Sequence, residues 1–423
     1  MIIETYDKAS EERIDSNRIK PNFKGYNLVN VPNSILDLFG IKNNRVLSED
    51  IYTYIRGSYD KIVFFYLDGL GYDTFASDKF KNGIFKQIIN NGYYAAITTV
   101  FPSTTAAANT TINTGLAPLE HGLLEWILYF DEARTVALTL PYRPITQRYR
   151  RRFNSMNPSY LFKGKTIFRK MKEDGVRSVS FLKANIVNGE YTKLIQDGSD
   201  VVGYSYTTDG LLLLKNYLLN GAYDYYYFYL DNIDHIGHVY GPSSEMYALE
   251  VQTTSKMIEE TFEQLPMEVR RRTLVIITSD HGHIDVDPLR TIYLNSFRKL
   301  YDSLKSDGRY KIPPVGSPRD VFLFVKNDAL ESTIDYTKRK LASSLVMSTQ
   351  ESFDYGLFGG GAVPDSFYRR AGNMLILPSG NDLIWYRMTG LRDSRMKGMH
   401  GGLSEREMMI PIAFGEISQI IKD

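Results

Sequence analysis

The 423-residue chain contains no cysteine. Disulfides, thiolate metal sites and cysteine nucleophiles are thereby excluded. No apolar run approaches the roughly 20 residues that a membrane-spanning helix needs. The opening MIIETYDKASEERIDSNRIK is polar, with no basic stretch leading into an apolar core. Without such a secretory pattern the expected location is the cytoplasm. An excess of one charge is missing too, since 50 lysines and arginines face 49 aspartates and glutamates. That balance argues against a surface built to hold nucleic acid or an anionic membrane. Histidines are few, six in all, yet two fall within IDHIGHVYGP at 233–242.

Three apolar runs share one grammar. KIVFFYLDG (61–69), YDYYYFYLDNID (223–234) and TLVIITSDHG (273–282) are β-forming stretches that each end in aspartate. Near-continuous hydrophobic strands suit a sheet covered on both faces. The tyrosine-rich run reads as a buried strand in preference to a base-stacking surface. Helical patterns lie between the runs, at IFKQIINNGY (84–93), KTIFRKMKEDG (165–175) and YALEVQTTSKMIEETFEQL (247–265). The alternation predicts an α/β fold with a mostly parallel central sheet sandwiched by helices. In such sheets the functional crevice lies beyond the carboxyl ends of the strands, where the aspartates fall. We expect a single domain over 1–423 with insertions at about 126–165 and 290–390, the second carrying the strands DVFLFVKN and NMLILP. The basic run RPITQRYRRRFN (143–154) reads as a solvated loop or a lid, and FGGGAVPDS (358–366) as a loop.

Singly, each polar motif has a bland reading. Asp68 before Gly69 suits a turn, SDHGH at 279–283 a hydrogen-bonded loop, and His400 between Met399 and Gly401 a structural histidine. Residues 231–238 hold two overlapping D-x-x-x-H patterns, Asp231 with His235 and Asp234 with His238. Together Asp68, Asp234, His238, Asp280, His281 and His400 make three carboxylates and three imidazoles. That is too many for one tetrahedral zinc but suits two metal ions. The mixture of donors fits Zn²⁺ best and Mn²⁺ second, while histidine disfavours Mg²⁺. Two metals about 4 Å apart are an apparatus for in-line attack at phosphorus. TVFPSTTAAANTTINTG (99–115) offers nucleophiles, because Ser103, Thr104 and Thr105 precede a helical stretch that stops near Gly115. A helix start stabilises an alkoxide and a phosphate. An ordinary N-cap has the same look, and position alone does not choose among the three hydroxyls.

As a set, LDGLG (67–71), VFPSTTAAANTTINTGLAPLEHG (100–122), DHIGHVYGP (234–242), SDHGH (279–283) and HGGLS (400–404) resemble the alkaline phosphatase superfamily, most of all its nucleotide pyrophosphatase/phosphodiesterase branch. The resemblance implies an alkaline-phosphatase-like fold with small cap segments. It also implies that Thr105 is the nucleophile and lies on a metal held by Asp68, Asp280 and His281. A second metal would then belong to Asp234, His238 and His400, leaving Asp231 and His235 beside the ligands. His121 and His283 match positions that need not be ligands and read as structural. One departure stands out: relatives carry an asparagine after the HG that holds a phosphoryl oxygen, and this chain has Trp126 there. No C/S-x-P-x-R pattern appears, which argues against the sulfatase branch. The implied chemistry is hydrolysis of a small phosphate ester or nucleotide through a phosphothreonine. A phosphomonoesterase or phosphomutase of the same superfamily is the alternative, and a non-catalytic metal-binding protein a more distant one.

Overall fold

Each of the three aspartate-terminated runs forms a strand in the computed structural model, which describes residues 1–77, 82–308, 310–388 and 395–422. The central sheet has eight strands, β1 (Ile2–Ile3), β2 (Lys61–Leu67), β3 (Tyr93–Thr98), β4 (Ser178–Lys183), β5 (Asp200–Tyr204), β6 (Tyr225–Leu230), β7 (Thr273–Thr278) and β8 (Met409–Glu416). Their order across the sheet is β1-β3-β8-β7-β2-β6-β4-β5. Every pairing is parallel except the two that β8 makes with β3 and β7. The sheet is therefore mixed, with one reversed strand. The reversal has a simple cause. After β7 the chain builds the second insertion and re-enters where β3 and β7 end, pairing Met409 with Thr98 and Ile412 with Thr278.

Burial on both faces explains the continuous hydrophobic runs. Val63, Phe65 and Leu67 of β2 join one core, whereas Ile62, Phe64 and Tyr66 join the opposite one. The tyrosine strand β6 divides likewise, with Tyr226 and Phe228 on one side and Tyr225 and Tyr227 on the other. It is a core element, as its β-forming composition predicts.

Three helices place the chemistry: α1 (Thr105–Thr114), α2 (Asn232–Tyr240) and α3 (Glu245–Glu263). Between α1 and β4, the strands Ile127–Phe130, Thr135–Leu138 and Arg143–Pro144 form a small antiparallel sheet. Between β7 and β8, Val315–Ser317, Asp320–Leu323, Met374–Leu377 and Leu345–Ser348 form a four-stranded one. This second sheet has its own apolar cluster, including Val321, Val346 and Ile376. An ion pair ties it to the main body: Arg319 donates to Glu407 through Nε at 3.0 Å and Nη2 at 2.9 Å. Both side chains are buried.

Candidate active site

Asp68 follows β2 directly, Asp231 follows β6 directly, and Asp280 stands two residues beyond β7. Parallel register brings these strand ends to one edge. The Asp68 N–H donates to the carbonyl of Leu230 at 2.9 Å. Tyr229 donates its hydroxyl to Oδ2 of Asp68. Oδ1 of Asp280 accepts the N–H groups of Gly69 and His281, both at 2.9 Å. Gly69 has φ +78° and a Cβ there would lie 2.8 Å from Cα of Asp234, so the backbone approach needs glycine. These bonds aim the carboxylates and leave one oxygen of each over. Oδ1 of Asp68 and Oδ2 of Asp280 are buried without a hydrogen-bond partner. They lie 3.6 and 3.3 Å from Nε2 of His281.

The three hydroxyls of PSTT separate cleanly. Ser103 Oγ donates to the carbonyl of Gly402 at 2.7 Å, and Thr104 Oγ1 to that of Leu124 at 3.2 Å. Thr105 alone points at the carboxylate group, with Oγ1 3.3 Å from Nε2 of His281. It is the first residue of α1, which closes on the left-handed Gly115. Its hydroxyl therefore sits beside the free N–H groups of a helix start, where developing negative charge is stabilised.

On α2, Asp234 and His238 are four residues apart and share a face. Nε2 of His238 lies 3.4 Å from Oδ1 of Asp234, and Nε2 of His400 lies 3.9 Å from the same atom. Asp234, His238, His283 and His400 form one group able to hold a cation, and Asp68, Asp234 and His281 form another. Asp234 is common to both. The rings of His281 and His400 stack with centroids 3.5 Å apart.

Three imidazoles are oriented alike. Nδ1 of His238 lies 2.8 Å from the carbonyl of Gly398, that of His281 3.0 Å from Gly282, and that of His400 3.0 Å from Ser103. A carbonyl at Nδ1 assigns the proton there and leaves the Nε2 lone pair facing the acids. His283 is reversed, since its Nε2 lies 2.7 Å from Oδ1 of Asp234. His283, read from the sequence as structural, thus joins the polar cluster and belongs to one of the groups able to hold a cation. The H-x-H spacing of SDHGH was the signal that could have placed it there.

Electrostatics point the same way. Burial, then the neighbouring Asp280 and Asp234, push the Asp68 carboxyl well above the ordinary range. Burial also opposes charge on Asp234, but the imidazoles of His238, His283 and His400 outweigh it and hold its carboxyl well below the ordinary value. Burial, with His281 and His238 beside it, holds His400 well below a free imidazole. Orphaned carboxylate oxygens, crowded acids and inward lone pairs fit divalent cations, which would satisfy all three.

An adjoining pocket of about 530 Å³ is lined by Asp68, Thr105, Asn109, Trp126, Asp234 and His235, among others. His235 is exposed at its mouth, and Asp231 pairs with Lys183 at 3.1 Å, so both stand beside the cation groups and outside them. Asn109 was not legible in the sequence. It sits one turn below Thr105, and its Oδ1 accepts Nδ2 of Asn113 at 2.6 Å and the Tyr227 hydroxyl at 3.4 Å. That fixes the amide with Nδ2 outward. His121 is remote, fully buried, and packed with Nε2 3.1 Å from Thr111 Oγ1.

Comparison with known proteins agrees with this geometry. The family described as type I phosphodiesterase / nucleotide pyrophosphatase matches residues 62–403. Venom phosphodiesterase CdcPDE of Crotalus durissus collilineatus is 23% identical over 260 residues, 58% of this chain and 29% of that protein. Human ectonucleotide pyrophosphatase/phosphodiesterase family member 1 is 24% identical over 202 residues, 47% of this chain and 20% of that protein. The chain thus spans less than a third of the length of these relatives. Among solved structures, murine ectonucleotide pyrophosphatase / phosphodiesterase 5 shares the fold, with TM-score 0.63, 15% identity, and coverage of 84% of this chain and 87% of that one. Its inactive form has been solved in complex with AMP, with the same TM-score of 0.63 and 15% identity. The match to the family over most of its length, from the start of β2 to the loop before β8, shows that this chain belongs to the type I phosphodiesterase / nucleotide pyrophosphatase family.

Proposed function

We propose that the protein hydrolyses phosphodiester or pyrophosphate bonds of nucleotide-type substrates, with Thr105 as nucleophile. One observation carries the reading. Of the three hydroxyls at the start of α1, only that of Thr105 faces the buried acid–imidazole cluster, 3.3 Å from His281. Asp68, Asp280 and His281 would hold one divalent cation there, and Asp234, His238 and His400 a second. The imidazole–carboxylate mixture favours Zn²⁺. Bound cations supply Lewis acidity and lower the pKa of a coordinated hydroxyl or water.

The chain's own residues do the rest. Thr105 Oγ1 attacks phosphorus in line as the bond to the leaving oxygen breaks, giving a phosphothreonine that water then hydrolyses. The N-terminal N–H groups of α1 face the charge that builds on the phosphoryl oxygens. Where the sequence has Trp126 in place of an asparagine, Asn109 would supply the amide, since it lines the same pocket one turn from the nucleophile and its Oδ1 is already engaged by Asn113. Trp126 itself is 42% exposed on the pocket wall, suited to cover a substrate's apolar part. That the inactive form of the murine relative has been solved in complex with AMP supports a nucleotide-type substrate.

The reading is tested with bis-p-nitrophenyl phosphate and p-nitrophenyl phosphate. Diester turnover should exceed monoester turnover, and Thr105→Ala should lower it on the order of 10³-fold or more while metals stay bound. Preference for the monoester would move the protein to the phosphomonoesterase branch. Undiminished turnover by Thr105→Ala would reject the nucleophile.

A further inference from the structure

A second cleft, of about 1130 Å³, lies between the two insertions. Leu138 and Arg143 line it, whereas Leu140 and Pro141, between them in sequence, line the pocket of Thr105. One turn of chain therefore separates the two spaces. The cleft is strongly basic. Arg143, Arg148, Arg150, Lys311 and Arg387 face it, and its described lining contains no aspartate or glutamate.

Several other surface arginines pair with acids: Arg45 with Glu120, Arg56 with Glu49, Arg152 with Asp307 and Arg169 with Asp197. Among the described residues, Arg143, Arg148 and Arg150 have no carboxylate within 4 Å. Like charges gathered in a concave site raise the local potential and draw in an anion. Guanidinium forks match phosphate oxygens two at a time. The cleft also offers flat surfaces. The Arg148 guanidinium lies 3.6 Å from the ring centroid of Tyr310 and 5.3 Å from that of Tyr149. Tyr301 and Tyr386 line the same space. Stacked guanidinium and phenol groups suit a planar heterocycle.

We propose that this cleft is a second binding site for a nucleoside phosphate, with the phosphate on Arg143 and Arg150 and the base against the Arg148–Tyr310 stack. It gives a role to Arg143, Arg148 and Arg150 of the basic run at 143–154, which the catalytic reading leaves unused. The inference does not rest on Thr105 being the nucleophile.

The test is calorimetric titration of AMP into metal-loaded, full-length Thr105→Ala protein. Two AMP molecules per chain are expected. Adding Arg143→Gln and Arg148→Gln should weaken one of the two by at least tenfold and leave the other in place, with circular dichroism unchanged. Inorganic phosphate should bind the cleft at least tenfold more weakly than AMP. A single AMP per chain that survives both arginine changes overturns the site. Phosphate binding as tight as AMP overturns the nucleoside assignment.

Discussion

His283 donates its Nε2–H to Oδ1 of Asp234 at 2.7 Å, across 49 residues of sequence. Its ring fills a cage of glycines, since a Cβ on Gly69, Gly237 or Gly398 would come within 3.1 Å of it. A side chain on any of these glycines would crowd the ring. Asp234 is thereby held where both cation groups meet. His283→Gln should weaken metal retention about 10–100-fold, the usual effect of losing such a supporting bond. Competition against a chromogenic chelator measures it, and an affinity within twofold of the parent rules the role out.

Asn109 lines the pocket, and Asn113 and Tyr227 occupy its Oδ1, which leaves Nδ2 as the group it can offer a substrate. Asn109→Leu keeps the volume and removes the donor. Diester kcat should fall about 10²-fold with KM changed far less, as for loss of one preorganised donor to a developing oxyanion. A larger rise in KM than fall in kcat would place the amide on the ground-state substrate instead.

Glu125 and Asp320 are buried side by side. Burial pushes the Glu125 carboxyl up to about 7, and burial together with Glu125 pushes Asp320 well above its ordinary value. Ser317 donates to Asp320, while Arg319 is engaged by Glu407 nearby. The folded chain keeps a proton here that the unfolded chain releases above 4.5. The pair's stabilisation is therefore complete below that pH and is lost as pH rises through 7. Urea denaturation should show the parent less stable at pH 8 than at pH 4.5–5 by on the order of 1–3 kcal/mol from this pair. Glu125→Gln should flatten that difference.

Arg319 is the clasp between the four-stranded insertion and the loop after His400. Glu407, which it grips, also accepts the Gly402 N–H at 2.9 Å and the Ser404 hydroxyl at 2.6 Å. Arg319→Ala leaves a buried carboxylate unpaired, at a cost of about 3–5 kcal/mol. Chemical denaturation should register that loss, and metal retention should fall with it because His400 hangs from the same loop. Replacing both residues, Arg319→Met with Glu407→Leu, should recover much of the stability and little of the metal retention.

What could be read without coordinates was local. Aspartates at the ends of β2 and β6, the Asp234–His238 pair on one face of α2, and the helix that begins at Thr105 all follow from period, propensity and capping, which act within a few residues. The family motifs extended that reading to which residues would share a cation. The family motif already pointed to Thr105 among three adjacent hydroxyls; tertiary structure supplied a physical reason, because Ser103 and Thr104 bond to the distant carbonyls of Gly402 and Leu124. It also turned His283 onto Asp234, reversed β8, set Asn109 facing the pocket, and gathered the arginines of 143–150 with Lys311 into one cleft. These are contacts between segments tens to hundreds of residues apart. Their energy comes from packing and desolvation, which no local pattern of residues encodes.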